Sequence, residues 1–120
     1  MHELSVCQAL IGQVEKVARE NGARRVVAIV IAVGPLSGVE AGLLEHAYPI
    51  AAAGTLAEHA TLTVETVPVR VRCRSCGAET GAQANRLVCG DCNDWQVDVI
   101  AGEEMLLTRV EIETAAAAVH

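Results

Sequence analysis

Leu4, Cys7, Ile11, Val14 and Ala18 recur at three- and four-residue steps, with Leu10 and Val17 beside them. That is the spacing of one apolar helix face. Ser5-Val6-Cys7-Gln8 has the form of a capping box at the helix start, and Asn21-Gly22 marks its end. Val26 to Val33 is an almost unbroken apolar run with β-branched bulk at Val27, Ile29, Ile31 and Val33. It predicts a buried strand stopped by Gly34-Pro35. Ser37-Gly38-Val39-Glu40 offers a second capping box, opening a helix that carries Val39, Leu43, Leu44, Ala47, Tyr48 and Ala51 and closes near Gly54. Pro49 falls inside that helix, where its ring crowds the carbonyl of Glu45, so a kink or an early stop is expected.

Leu62, Val64, Val67, Val69 and Val71 predict one further strand, with Pro68 at an edge or bulge. A cysteine-bearing stretch follows. Alternation returns from Glu104 to Glu113, with Leu106, Thr108, Val110 and Ile112 on one face, and Thr114 to His120 reads as a frayed alanine tail. The order helix, strand, helix, strand, cysteine insert, strand predicts an α/β chain. Two helices lie on a three-stranded mixed sheet, and a zinc-ribbon-like domain is inserted before the last strand. The expected boundaries are residues 1–69 plus 103–120 for the discontinuous main domain and 70–102 for the insert. A length of 120 residues fits one domain with such an insert.

Composition narrows the function. The formal charge is −6, and aromatic residues are limited to Tyr48 and Trp95. No apolar run approaches the roughly 18 residues of a membrane span. Proteins that bind single-stranded nucleic acid stack bases on aromatic side chains above a basic groove. Between positions 70 and 99, Arg70, Arg72, Arg74 and Arg86 stand against Glu79, Asp91, Asp94 and Asp98. Four against four is neutral, and a tetrathiolate zinc centre would make the region net negative, which argues against a phosphate-seeking surface.

Cys73-Arg-Ser-Cys76 and Cys89-Gly-Asp-Cys92 carry the chemistry. Two residues between paired thiols let each pair wrap one side of a metal, and the stretch 77–88 suffices for a hairpin that brings the pairs together. Zn(II) accepts four thiolates tetrahedrally, so Cys73, Cys76, Cys89 and Cys92 are expected to hold a closed, structural zinc site. A rubredoxin-like iron site would use similar pairs in a more aromatic core. Two disulfides would suit a secreted domain, but the Met1-His2-Glu3 start carries no signal-peptide pattern, so a reducing cytoplasm is expected.

Cys7 lies on the apolar stripe of the first helix and reads as a core residue, while His46 and His59 read as surface or capping histidines. No phosphate loop, nucleophile elbow or catalytic carboxylate pair is present, so an enzyme is not supported. Met1-His2-Glu3 is a different case. The Met1 α-amine and the His2 amide nitrogen close a five-membered chelate ring, and the His2 amide and imidazole Nδ1 close a six-membered one. Three nitrogens can then occupy three corners of a square, which suits Ni(II) or Cu(II). The Glu3 amide chelates through the same His2 amide, so amine, both amides and imidazole cannot all be equatorial on one metal. A fourth planar ligand would come from the Glu3 carboxylate, from Glu40 or from a partner protein.

Together these features resemble the HypA/HybF family of hydrogenase nickel-incorporation proteins. The resemblance is carried by Met1-His2-Glu3-Leu4-Ser5, Ser37-Gly38-Val39-Glu40, Gly54-Thr55-Leu56-Ala57-Glu58, Val67-Pro68, Cys73-x-x-Cys76-Gly77 and Cys89-x-x-Cys92. It spans essentially the whole chain, in order. It implies a nickel metallochaperone in which His2, with Met1, Glu3 and nearby main-chain nitrogens, holds transferable Ni(II), while the four cysteines hold structural zinc. The implied partners are a HypB-type nickel GTPase and a [NiFe]-hydrogenase large-subunit precursor, with neither nucleic acid nor membrane, and a homodimer is compatible with it. A zinc-ribbon adaptor for nucleic acid or protein, without nickel, is the alternative. Two features depart from the family pattern: Gly90 stands where a proline is common, and Pro49 interrupts an expected continuous helix. No histidine lies between Cys73 and Cys92, so an imidazole from that loop cannot exchange with a thiolate.

Overall fold

The computed structural model describes residues 2–114, without the side chain of His2. The nitrogen ligands expected from Met1 and the His2 imidazole, and the tail at 115–120, lie outside the described residues. Helix α1 (His2–Glu20) leads into β1 (Ala23–Val33), helix α2 (Ala41–Ala52) and β2 (Thr61–Thr66). Strands β3 (Arg70–Cys73), β4 (Glu79–Gly81) and β5 (Val97–Ala101) form the insert, and β6 (Met105–Thr114) ends the described chain. One mixed three-stranded sheet has the order β2-β1-β6 and the other the order β4-β3-β5. This is the α/β arrangement read from the sequence, with a zinc-ribbon-like insert. Among the described residues no helix is long and apolar enough to cross a membrane.

By contacts the chain divides into two units. The first takes in the chain up to Ile31, Glu40–Val64 and the residues from Leu107 on. The second is Ala32–Val39 with Glu65–Leu106, and it includes the whole of the expected insert at 70–102.

The first unit is built on the α1 stripe. Cys7, Leu10, Ile11, Val14 and Ala18 are buried, α2 contributes Leu44, Tyr48 and Ala52, and β1 contributes Val26, Ile29 and Ile31. Each large aliphatic side chain so buried is worth about 1.5–3 kcal/mol. The Cys7 thiol donates to the Leu44 carbonyl at 3.3 Å, and burial raises its pKa, so it is the core residue expected. The segment after α2 folds back by its own hydrogen bonds. The Thr55 hydroxyl donates to the Ala52 carbonyl at 2.7 Å, and the Gly54 N–H donates to Glu58 Oε2 at 3.1 Å. The Tyr48 hydroxyl donates to the Ala57 carbonyl at 2.7 Å, and the Leu56 N–H donates to Glu15 Oε2 on α1 at 3.2 Å.

Several boundaries differ from expectation. α1 starts at His2, so Ser5 is an interior helical residue and not the cap. At the second capping box the helix begins at Ala41, and Glu40 occupies the cap position without a side-chain bond. The Ser37 hydroxyl instead accepts the Val39 N–H at 3.2 Å, a local turn favoured by Gly38 at φ 81°. α2 continues through Pro49 for three more residues, so the early stop does not occur. Pro49 is exposed, and so is Glu45, the residue whose carbonyl a donor at position 49 would have bonded. The single strand expected from Leu62 to Val71 is two, β2 and β3, in different sheets, separated by Val67-Pro68-Val69. β1 is not buried throughout: Val27 is 41% exposed. In β6 the Leu106 and Thr108 positions are exposed while Val110 and Ile112 are half-buried, so the expected single face changes phase near Arg109. Thr114 belongs to β6 and not to the tail.

Candidate metal centre

The second unit folds its cysteines into two loops of the same construction. Cys73 ends β3, which pairs antiparallel with β4 on one side and β5 on the other. In the first loop the Cys73 N–H donates to the Ala78 carbonyl at 2.9 Å and Gly77 N–H donates to the Cys73 carbonyl at 3.1 Å. In the second loop, sixteen residues on, Cys89 N–H donates to Asp94 at 2.9 Å and Asn93 N–H to Cys89 at 3.0 Å. Each turn needs a left-handed residue after its second cysteine: Gly77 at φ 77° and Asn93 at φ 62°. Asparagine is among the few residues other than glycine that visit this region routinely.

The sulfurs are oriented the same way in both loops. Cys73 Sγ accepts the N–H groups of Ser75 at 3.3 Å and Cys76 at 3.4 Å. Cys89 Sγ accepts those of Asp91 at 3.4 Å and Cys92 at 3.5 Å. Cys73 and Cys89 are buried, Cys76 and Cys92 exposed, and none is in a disulfide. Across the loops, Cys73 Sγ lies 3.6 Å from Cys92 Sγ, and Cys76 Sγ lies 3.6 Å from Cys89 Sγ. All four sulfurs fall within 4.8 Å of one another. A tetrahedral zinc tetrathiolate with zinc–sulfur bonds of ~2.3 Å needs sulfurs ~3.8 Å apart, so the four thiols fit the group.

The electrostatics point the same way. The N–H of Cys76, then that of Ser75, pull the Cys73 thiol down to about 7 against the opposing effect of burial. Those of Cys92 and Asp91 lower Cys89 likewise. At Cys92 the Asp94 N–H favours the thiolate, but the Cys73 thiol, burial and the other two thiols outweigh it and push the pKa up to about 12. The fold's own donors thus favour two thiolates, and holding all four as thiolates calls for a cation among them.

Further side chains brace the loops. The Ser75 hydroxyl of the first loop donates to the Asp94 carboxylate of the second, and Asp94 also accepts the Gln96 N–H at 3.0 Å. The Ser75 bond, then the Gln96 bond, hold the Asp94 carboxyl below its usual range. Gly90 donates its N–H to Thr80 Oγ1 at 2.8 Å, a bond that a proline at this position could not make. The cysteine spacing does not by itself single out Ser75, Thr80, Asn93 and Asp94 as parts of the centre. The sixteen-residue offset that sets Cys-Gly-Ala beside Cys-Asn-Asp is the signal that would have found Asn93 and Asp94.

The other candidates are separate from this centre. Glu3 is half-buried in the first turn of α1, and Glu40 is exposed just before α2. His46 and His59 are exposed, and His59 lies 3.5 Å from the Glu58 carboxylate. Among the described residues the four cysteines are the one group of three or more metal-ligating side chains brought together.

Comparison with known proteins finds relatives along nearly the whole chain. The family model described as "Hydrogenase/urease nickel incorporation, metallochaperone, hypA" matches residues 1–112. A hydrogenase maturation factor HypA of Nitrosospira multiformis is 50% identical over 114 residues, covering 95% of this chain and 99% of that protein. Its counterpart in Aquifex aeolicus is 38% identical over 94% of this chain and 98% of its own length. The solution structure of the Ni metallochaperone HypA from Helicobacter pylori superposes with a TM-score of 0.68 at 26% identity, covering 93% of this chain and 97% of that one.

Proposed function

The chain belongs to the HypA family of hydrogenase and urease nickel-incorporation metallochaperones, and on that premise we propose that it captures Ni(II) at its amino terminus and passes it to a hydrogenase under maturation. The observation that carries this reading is a family match that begins at residue 1 and so includes Met1-His2-Glu3. The Met1 amine, the His2 amide and the His2 imidazole form the claw, with Glu3 as a further ligand. α1 begins at His2, and the amides of a helix's first turn have no intrahelical acceptor, so binding metal through them sacrifices no helix bond. The positive end of the helix dipole favours loss of an amide proton there. Three nitrogens leave one corner of the square for Glu3 or an exchanging ligand, so an incoming ligand can bind before the last bond to the carrier breaks.

The residues that would hold zinc are Cys73, Cys76, Cys89 and Cys92, and the bound ion would supply a fixed crosslink between the two loops. Four protein ligands leave no open position, so this centre shapes a surface and does not exchange cargo. The working division is a nickel-binding domain at 1–69 plus 103–120 and a zinc-binding domain at 70–102. The recipient is a [NiFe]-hydrogenase large-subunit precursor, loaded with the help of a HypB-type GTPase in the cytoplasm. His2→Ala should abolish nickel binding in a competition titration of chain starting at Met1, while zinc stays at one ion per chain. Unchanged nickel stoichiometry and affinity in that variant would remove the site assignment.

A further inference from the structure

The four-cysteine unit carries a groove that the metal centre does not use. Its volume is about 740 Å³, it is open to solvent, and every residue lining it belongs to the second unit. That size lies within the ~300–1,000 Å³ range of ligand pockets. Pro35, Pro68 and Val88 supply apolar walls, and the carboxamides of Gln83 and Asn93 supply neutral polar groups. Arg86 is the one cationic side chain in the lining; Cys89, a thiol of the metal centre, lines it too, and no carboxylate does.

Arg86 is set apart from the other arginines. Arg19, Arg24, Arg25, Arg72, Arg74 and Arg109 each pair with a carboxylate, and Arg70 donates to the Glu79 carbonyl. Among the described residues the Arg86 guanidinium has no such partner. Its backbone is fixed nevertheless: the Arg86 N–H donates to the Gln83 carbonyl at 3.0 Å, closing a turn bridged by Gln83 and Arg86. In a chain of net charge −6, an uncommitted guanidinium on a fixed turn in a largely apolar groove is complementary to a single carboxylate.

We propose that this groove docks an extended acidic peptide segment of a partner protein, its carboxylate on Arg86 and its aliphatic or proline side chains against Pro35, Pro68 and Val88. One cation suits one carboxylate and not a polyphosphate. No aromatic ring lines the groove to stack a base, and the second unit has no helix whose N-terminus could bind phosphate. The carboxamides of Gln83 and Asn93 can satisfy the main chain of an extended segment. Cys89, Gly90 and Asn93 belong both to the groove and to the second cysteine loop, so the occupant lies against the metal-bearing backbone. The inference is independent of the nickel reading, because none of the amino-terminal ligands takes part.

The test is an NMR titration of zinc-loaded, isotope-labelled full chain with capped hexapeptides. Each peptide carries a fixed central glutamate, with valine, leucine, alanine or proline at the other positions. The expected result is saturable shifts at the amides of Ala82, Gln83, Arg86 and Gly90. Replacing the glutamate by glutamine, or Arg86→Gln in the protein, should weaken binding about tenfold, the effect of one charge-assisted hydrogen bond. Arg86→Lys should retain part of the affinity. Arg86 is exposed, and the same spectra confirm that each variant is folded. The proposal is overturned by no saturable shifts, by shifts outside the groove, by equal binding of glutamate and glutamine peptides, or by the same shifts with inorganic phosphate alone. Nickel titration of Arg86→Gln, expected to match the parent protein, separates failure here from failure of the nickel assignment.

Discussion

Replacing Gly34 by alanine tests the packing of the cysteine-bearing unit at its closest backbone approach. A methyl at this position would lie 2.1 Å from the carbonyl oxygen of Gly102, 2.2 Å from its carbonyl carbon and 2.8 Å from its Cα. Ordinary contact between such atoms is about 3.5 Å, so the two segments must part by more than about 1 Å. No side chain can rotate away, because every clashing atom is backbone. The same segments are joined by bonds of 2.8 Å from Gly34 N–H to the Glu104 carbonyl and from Leu36 N–H to the Gly102 carbonyl. Separation breaks both bonds, and Gly34 and Gly102 are buried. With about 1–3 kcal/mol for each buried group left unsatisfied, the expected loss is about 3–5 kcal/mol. For a chain of this size that lowers the melting temperature by roughly 10–15 °C. The assay is thermal and urea unfolding of zinc-loaded protein followed by fluorescence of Trp95, the single tryptophan, which lies in the same unit. Gly38→Ala is the control: φ is +81° but no atom lies within 4 Å of an added Cβ, so only a conformational cost of about 1–2 kcal/mol applies. A Gly34→Ala melting point within about 3 °C of the parent, or below no more than the control, would refute the reasoning.

Three further outcomes are expected. Asn93→Ala, at φ 62°, should destabilise by about 1 kcal/mol while Asn93→Gly is neutral or stabilising, as measured by urea midpoints of the zinc-loaded protein. Tyr48→Phe removes one of two donors from the Ala57 carbonyl, which keeps the Ala60 N–H at 3.1 Å, and should cost about 0.5–1.5 kcal/mol in urea unfolding. In the parent protein, burial first and then the Cys7 thiol push the tyrosine hydroxyl up to about 12, which an absorbance titration reads directly. Glu113 is held below its ordinary 4.5 by hydrogen bonding to Arg25, so its stabilising effect exists above that value and fades as pH falls through the lower folded one. Arg25→Gln should therefore lower the urea midpoint slightly at pH 7 and by progressively less as pH falls below the ordinary carboxylate value, and a loss that does not shrink with pH would contradict the linkage.

The four-cysteine cluster was legible because cysteine spacing is a local property of the sequence. The α1 stripe was legible too, since five core residues on a 3.6-residue period outweigh local ambiguity. Its start was not: Ser5 and Gln8 have capping-box spacing, but the helix already runs from His2 and overrides the local signal. Alternating valines continue from β2 into β3, so periodicity alone could not reveal that Val67-Pro68-Val69 carries the chain from one sheet to another. Gly34 reads as a strand stop and Gly102 carries no sequence signal of its own. Their shared role depends on residues far apart in sequence meeting backbone to backbone, which no local pattern encodes. The groove around Arg86 was hidden for the same reason, because a cation's lack of a partner is a tertiary property.

The proposed division of labour puts nickel on nitrogen ligands at the amino terminus and zinc on the thiolates of the insert. X-ray absorption at the nickel edge, on chain beginning at Met1 and carrying one zinc and one nickel, tests that division most directly. The expected first shell contains only nitrogen and oxygen with an imidazole signature, and one added residue before Met1 should change it. A sulfur shell around nickel would place the cargo on Cys73, Cys76, Cys89 or Cys92 and contradict the account.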